Sequence, residues 1–172
     1  IALISIFLDD GYEHILDDEF MENVVCQEDH YYHRIAHLLR MGNHDPIVFY
    51  ISVEKELKKF THKYGHTVIR VPAKRIPFLH EPIVYSPELI KQVENNFDAS
   101  LLFSYYVMYK VPDMFDYIIR KLKGKMPIMT RWSGGQHKWL FPIRKQIKKS
   151  ALQKCDKIIC GGREEIEVLK NV

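Results

Sequence analysis

Short unbroken apolar runs alternate along this chain with longer stretches whose apolar residues recur every three or four positions. Ile1 to Leu8 (IALISIFL) is a continuous apolar run of strand length. Pro46 to Ser52, His66 to Val71, Asp98 to Tyr105, Met126 to Arg131 and Asp156 to Cys160 repeat the pattern. Such runs suit strands covered on both faces, because neither face is left polar. Helical patterns are expected over Asp29 to Met41, Val53 to Tyr64, Ser86 to Asn96, Pro112 to Lys123, Lys138 to Lys154 and from Arg163 onward. Ser86-Pro87-Glu88 is a cap followed by a proline in the first turn. Asn43, Gly65 and Gly124 are expected to close helices, since each tolerates a left-handed backbone. In the first helix Asp29 is the expected cap. Tyr31, Ile35, Leu38 and Leu39 form the expected inner face, which leaves His30, His33 and His37 on a wet face. Ala73 to Tyr85, rich in proline, reads as an irregular connection. Asp9 to Glu28 is acidic and aperiodic, a long loop that is either functional or a solvated insertion.

Strands alternating with helices at this spacing imply right-handed crossovers and a parallel sheet. The expected fold is α/β: one Rossmann-like three-layer domain over residues 1–172, with a mainly parallel sheet of strand order 3-2-1-4-5-6. Ligands of such sheets sit at the carboxyl ends of the strands. The stretch from Lys125 to His137 (KMPIMTRWSGGQH) then becomes central, because a strand there runs into Ser133, Gly134 and Gly135. Small residues at a strand-to-helix turn let the backbone approach a ligand and offer it free N–H groups. The turn after the first strand lacks GxGxxG, which argues against an ordinary dinucleotide oxidoreductase.

Composition narrows this only a little. An apolar fraction of 47% and a charged fraction of 27% are those of a globular protein, and a net charge of +3 does not argue for nucleic acid. The apolar runs fall short of the ~20 residues of a membrane helix. Three cysteines without a CxxC pair read as reduced thiols, and no basic leader or cleavage site precedes the first strand, so a cytoplasmic protein is expected. The chain opens without methionine and stops within a helical pattern, which suggests a piece of a longer protein. His137 is a candidate acid–base group and Arg131 a candidate cleft cation. Trp132 and Trp139 are either stacking platforms or half-buried packing. Arg144, Lys145, Lys148 and Lys149 share a basic helix face, which fits either anionic membrane or solvent. His33 and His37 have i, i+4 spacing, but no third ligand is specified, so no metal is expected.

Several short motifs, in order, resemble the N-terminal half of a GT-B glycosyltransferase, most closely glycosyltransferase family 4. Ile35-Ala36, Leu39 and Asn43-His44 fit that family's first helix and its exit. Phe97-Asp98 resembles the entry to its fourth strand, and Pro127 with Gly134 resembles its fifth strand and following loop. Cys155-Asp156-Lys157-Ile158-Ile159 resembles the strand before its interdomain hinge. There are departures: Cys26-Gln27 stand where the family has Gly-Gly, Asn43 replaces a glycine, and Ser133 stands where a histidine is usual. The resemblance implies the acceptor-binding half of a nucleotide-sugar-dependent enzyme that transfers a sugar to a hydroxyl, with the C-terminal donor-binding domain absent. It implies no resident cofactor, since the nucleotide-sugar is a substrate. Arg131, Ser133, Gly134 and Gly135 would then face the donor, His137 would act catalytically, and Asp9, Asp10 and Tyr12 would meet a carbohydrate or lipid-linked acceptor. The isolated piece is expected to be inactive. A non-catalytic binding module and the corresponding half of a sugar-nucleotide epimerase remain open alternatives. Donor, acceptor and stereochemical outcome are not legible.

Overall fold

The computed structural model describes residues 1–8, 31–52, 56–76, 83–96, 102–107, 118, 120–133, 146 and 149–170. In chain order these form β1 (Ala2–Leu8), α1 (Tyr31–Met41), β2 (Ile47–Ser52), β3 (Lys58–Thr61), β4 (Thr67–Pro72), β5 (Lys74–Ile76), β6 (Ile83–Tyr85), α2 (Pro87–Asn96), β7 (Leu102–Val107), β8 (Ile128–Ser133), β9 (Lys157–Cys160) and α3 (Arg163–Lys170). The class is mixed α/β with a mostly parallel sheet. That sheet has seven strands in the order β3-β4-β2-β1-β7-β8-β9. Every pairing in it is parallel except β3 with β4.

Register explains why the apolar runs have no polar face. Leu3, Val48 and Val68 lie side by side across β1, β2 and β4, and so do Ile4, Phe49 and Ile69 one position later. Successive residues of a strand point to opposite faces. The first row therefore packs with Tyr32 and Ala36 of α1. The second row packs on the other face with Leu89 and Val93 of α2, together with Ile118, Leu122 and Leu152. Residues 120–122 and 149–152 are helical, while most of the two helices expected there lies outside the described residues. Among the described residues, no helix is long and apolar enough to cross a membrane.

Local chemistry fixes the ends. Ser86 caps α2: its Oγ accepts the Leu89 N–H at 3.0 Å and donates to the Pro72 carbonyl at 2.6 Å, which ties the helix start to the end of β4. Asn43 closes α1 with φ of 60°, and Gly124 has φ of 80°. Both conformations are those that asparagine and glycine favour.

Four expectations are corrected. Residues 58–61 are a strand and not part of a charged helix. Their exposure alternates, with Lys58 and Phe60 half-buried and Lys59 and Thr61 exposed, the period of a strand at a sheet edge. Lys74–Ile76 and Ile83–Tyr85 pair antiparallel within the segment expected to be irregular. β8 runs to Ser133, which pairs with Val107, so Ser133 is the last residue of a strand and not the first of a turn. The fully buried face of α1 is Tyr32, His33 and Ala36; Tyr31, Ile35 and Leu39, expected on the inner face, pack half-buried against the same cluster, whereas Leu38 is 66% exposed.

The hairpin joining β3 to β4 rests on Gly65, whose φ is 80°. The His62 N–H donates to the His66 carbonyl at 2.9 Å, and the Gly65 N–H donates to the His62 carbonyl at 2.7 Å. The atoms nearest a Cβ on Gly65 would belong to the Arg40 guanidinium, at 3.1 Å, and the positive φ would strain any side chain there. Gly65→Ala is expected to cost about 1–2 kcal/mol, the penalty of a left-handed L-residue. Urea denaturation checks this, and an unchanged midpoint would refute the turn geometry.

Candidate functional site

The parallel pairing of β1, β7 and β8 puts their carboxyl ends on one edge of the sheet. β2 and β4 lie to one side of β1, and β7, β8 and β9 to the other. The order therefore reverses between β1 and β7, the position at which open α/β sheets form a ligand crevice. Arg131 of β8 is half-buried, and its guanidinium carbon lies 5.3 Å from the centre of the Tyr31 ring at the start of α1. This contact brings the first helix and the fifth parallel strand of the chain together at that edge. Beyond β9, the Gly161 N–H donates to the Glu165 carboxylate. A Cβ on Gly161 would lie 3.7 Å from the Arg131 guanidinium. Asp156 orders the entry to β9: its carboxylate accepts the Ile128 N–H at 2.8 Å, and its own N–H donates to the Ile128 carbonyl at 2.8 Å.

Of the residues expected in the site, Arg131 and Ser133 lie on β8, and Lys149 is half-buried in a helical stretch. His137, Gly134, Gly135, Asp9, Asp10, Tyr12, Arg144, Lys145 and Lys148 lie outside the described residues. Both described thiols, Cys155 and Cys160, are held toward the protonated form. Burial, with Asp156 adding to it, pushes the Cys155 thiol up to about 12. Burial and Glu165 raise Cys160 as well.

A second constellation is built from α1 and the β3–β4 hairpin. His33 is fully buried on the inner side of the helix. His62 and His66, at 2% and 0% exposure, flank the turn. His33 Nδ1 lies 2.8 Å from His66 Nε2, so one of the two carries the shared proton. His33 Nε2 lies 3.2 Å from the Tyr50 hydroxyl. The Tyr64 N–H donates to His62 Nδ1 at 3.2 Å. The His62 ring stacks on His33 at 4.2 Å and on His66 at 4.5 Å. One ring nitrogen from each of the three lies within 4.8 Å of the other two. Among the described residues, His66 Nδ1 is buried without a hydrogen-bond partner. Burial, then the charges of His62, Arg40 and His37, hold His66 down at about 4, so it is neutral at physiological pH.

No family model matches the chain, and no curated protein or solved structure matches it significantly.

The trio was hidden in the sequence for a definite reason. His33 was paired with its helical neighbour His37, whose ring instead stacks on Tyr64 at 4.3 Å. His62 and His66 flank a turn that reads as a helix end. The available signal was the His62-x-x-Gly65-His66 spacing, which puts both imidazoles at the mouth of a hairpin once Gly65 is placed in its turn.

Proposed function

We propose that this chain is the acceptor-side, Rossmann-like three-layer domain of a nucleotide-sugar-dependent glycosyltransferase of the GT-B type. The observation that carries the reading is the reversal of strand order between β1 and β7, with the Arg131 cation at the carboxyl side of β8. The short motifs that resemble glycosyltransferase family 4 add to it. In this reading the crevice holds the sugar acceptor, a carbohydrate or lipid-linked hydroxyl. Arg131 and the backbone N–H groups of residues 134 and 135 neutralise charge on the departing diphosphate. His137 takes the proton of the attacking hydroxyl. A C-terminal domain supplies most of the donor site. Arg144, Lys145, Lys148 and Lys149 give the cytoplasmic enzyme a peripheral hold on anionic membrane. The donor is a substrate, so no resident cofactor enters the scheme.

The test uses the full-length protein and a panel of UDP-, GDP- and ADP-sugars, with release of the nucleotide as the readout. Turnover of at least one donor is expected. Arg131→Ala is expected to lower kcat/KM by roughly 10- to 150-fold, the equivalent of a charged hydrogen bond worth about 1.5–3 kcal/mol. Folding of the variant is checked by circular dichroism. A folded protein that turns over none of these donors, or a folded Arg131→Ala of unchanged activity, overturns the reading.

A further inference from the structure

We propose that His33, His62 and His66 form a binding site for one divalent cation of the zinc class, which clamps the β3–β4 hairpin onto α1. The site does not depend on the glycosyl-transfer reading, although α1 carries both His33 and the Tyr31 that meets Arg131. Its donors are three imidazoles, drawn from segments about thirty residues apart and pooled in one buried place. Nitrogen-only donor sets suit zinc, copper and nickel, whereas calcium and magnesium require oxygen.

Two details suit an ion in place of the hydrogen-bonded contact. The first is the contact of 2.8 Å between His33 Nδ1 and His66 Nε2. Without a metal, one proton must sit between those nitrogens. A cation that displaces it makes both of them ligands, and a tetrahedron of about 2.0 Å bonds sets nitrogens only about 3.3 Å apart. This pair opens slightly, and His62 gives up the Tyr64 N–H at its Nδ1 so that a deprotonated ring nitrogen turns to the ion from within 4.8 Å.

The second detail is the outer partner of His33. With Nδ1 on the ion, His33 carries its proton on Nε2, and the Tyr50 hydroxyl stands 3.2 Å away to accept it. An acceptor behind a ligating histidine fixes its tautomer and strengthens it as a ligand. His66 Nδ1, orphaned and buried, becomes the N–H of a ligating ring, and its cost is offset by the bond on the other nitrogen.

The experiment strips the protein with chelator and titrates Zn²⁺ by calorimetry, then uses Co²⁺ as a spectroscopic probe. One saturable ion per chain is expected, with the intense visible absorption of tetrahedral Co²⁺ and no thiolate charge-transfer band. His62→Gln, at the turn, is expected to weaken Zn²⁺ by more than about 100-fold, beyond the 10- to 100-fold typical of outer-shell changes. His37→Gln should leave binding unchanged. If His62→Gln does not fold, the ring-nitrogen chemical shifts of His33 and His66 in the wild-type protein, with and without Zn²⁺, decide the matter: both must move. Absence of saturable binding, a weak octahedral Co²⁺ spectrum, a thiolate band, unmoved shifts or equal affinity in a folded His62→Gln protein overturns the proposal.

Discussion

Phe49→Ala is expected to destabilise the protein by about 3–5 kcal/mol, the range for a large aromatic removed from a packed core. Phe49 is fully buried. It sits on β2 between Ile4 of β1 and Ile69 of β4 in strict register, on the sheet face that α2 covers. Two strands hold its neighbours in place, so the cavity has little freedom to collapse, which argues for the upper part of the range. Against a total of about 5–15 kcal/mol for an ordinary domain, the loss is a large fraction. The urea midpoint should fall with an unchanged slope. Leu38→Ala is the internal control. Leu38 is 66% exposed, and its truncation should stay within about 0.5 kcal/mol. A loss below about 1 kcal/mol at Phe49, or equal losses at the two positions, would mean that the sheet is not covered on this face.

The same pair of residues shows what the sequence could reveal. Phe49 belongs to a run with no polar alternation, and such a run specifies a strand buried on both faces whatever its neighbours are. The α/β class and the parallel pairing were legible for this reason, as was the cap at Ser86, a local motif that needs no tertiary information. Leu38 was misplaced because the phase of a helix is ambiguous when both of its sides carry apolar residues. Tyr31, Ile35 and Leu39 border the face of Tyr32, His33 and Ala36 and pack half-buried against the same cluster, whereas Leu38 falls outside it once histidine is counted as buried. What settles the phase is Tyr50 on β2 and the hairpin beyond it, which give His33 partners in the interior. The hairpin was missed for a related reason. A glycine with positive φ ends a helix and turns a hairpin equally well, and Gly65 does the second. The burial alternation that separates the two cases, in Lys58 to Thr61, spans only four residues of an edge strand. Arg131 was legible as a candidate from its place at the end of a strand, but its partner Tyr31 was not, because that contact joins residues 100 positions apart, from 31 to 131.

In chelator, the metal-free protein is expected to lose about 3 kcal/mol of stability through its histidine cluster as the pH falls from 6.5 to 4. His66 carries the effect: its pKa is held at about 4 in the folded protein against 6.5 in an open chain. The unfolded state therefore binds a proton that the folded state refuses, and stability must fall as protons are added. The contribution is complete above 6.5 and is lost as the pH drops through the folded value, at 1.36 kcal/mol for each pH unit of separation. The refusal has a visible origin. His66 is fully buried, and the groups around it are His33, His62, His37, Arg40, Tyr50 and Tyr64, with no carboxylate among the hydrogen-bond and ring contacts described for the cluster. A second positive charge there meets Arg40, which is already committed to the Gly65 carbonyl at 2.7 Å. Surface carboxylates also titrate near the bottom of this range, so the informative quantity is a difference. Urea midpoints measured from pH 7 to 4 should fall more steeply in the wild type than in His66→Gln, which has no imidazole to protonate at that position. Parallel curves would show that His66 is solvated and not enclosed, and the packing of α1 against the hairpin would have to be redrawn.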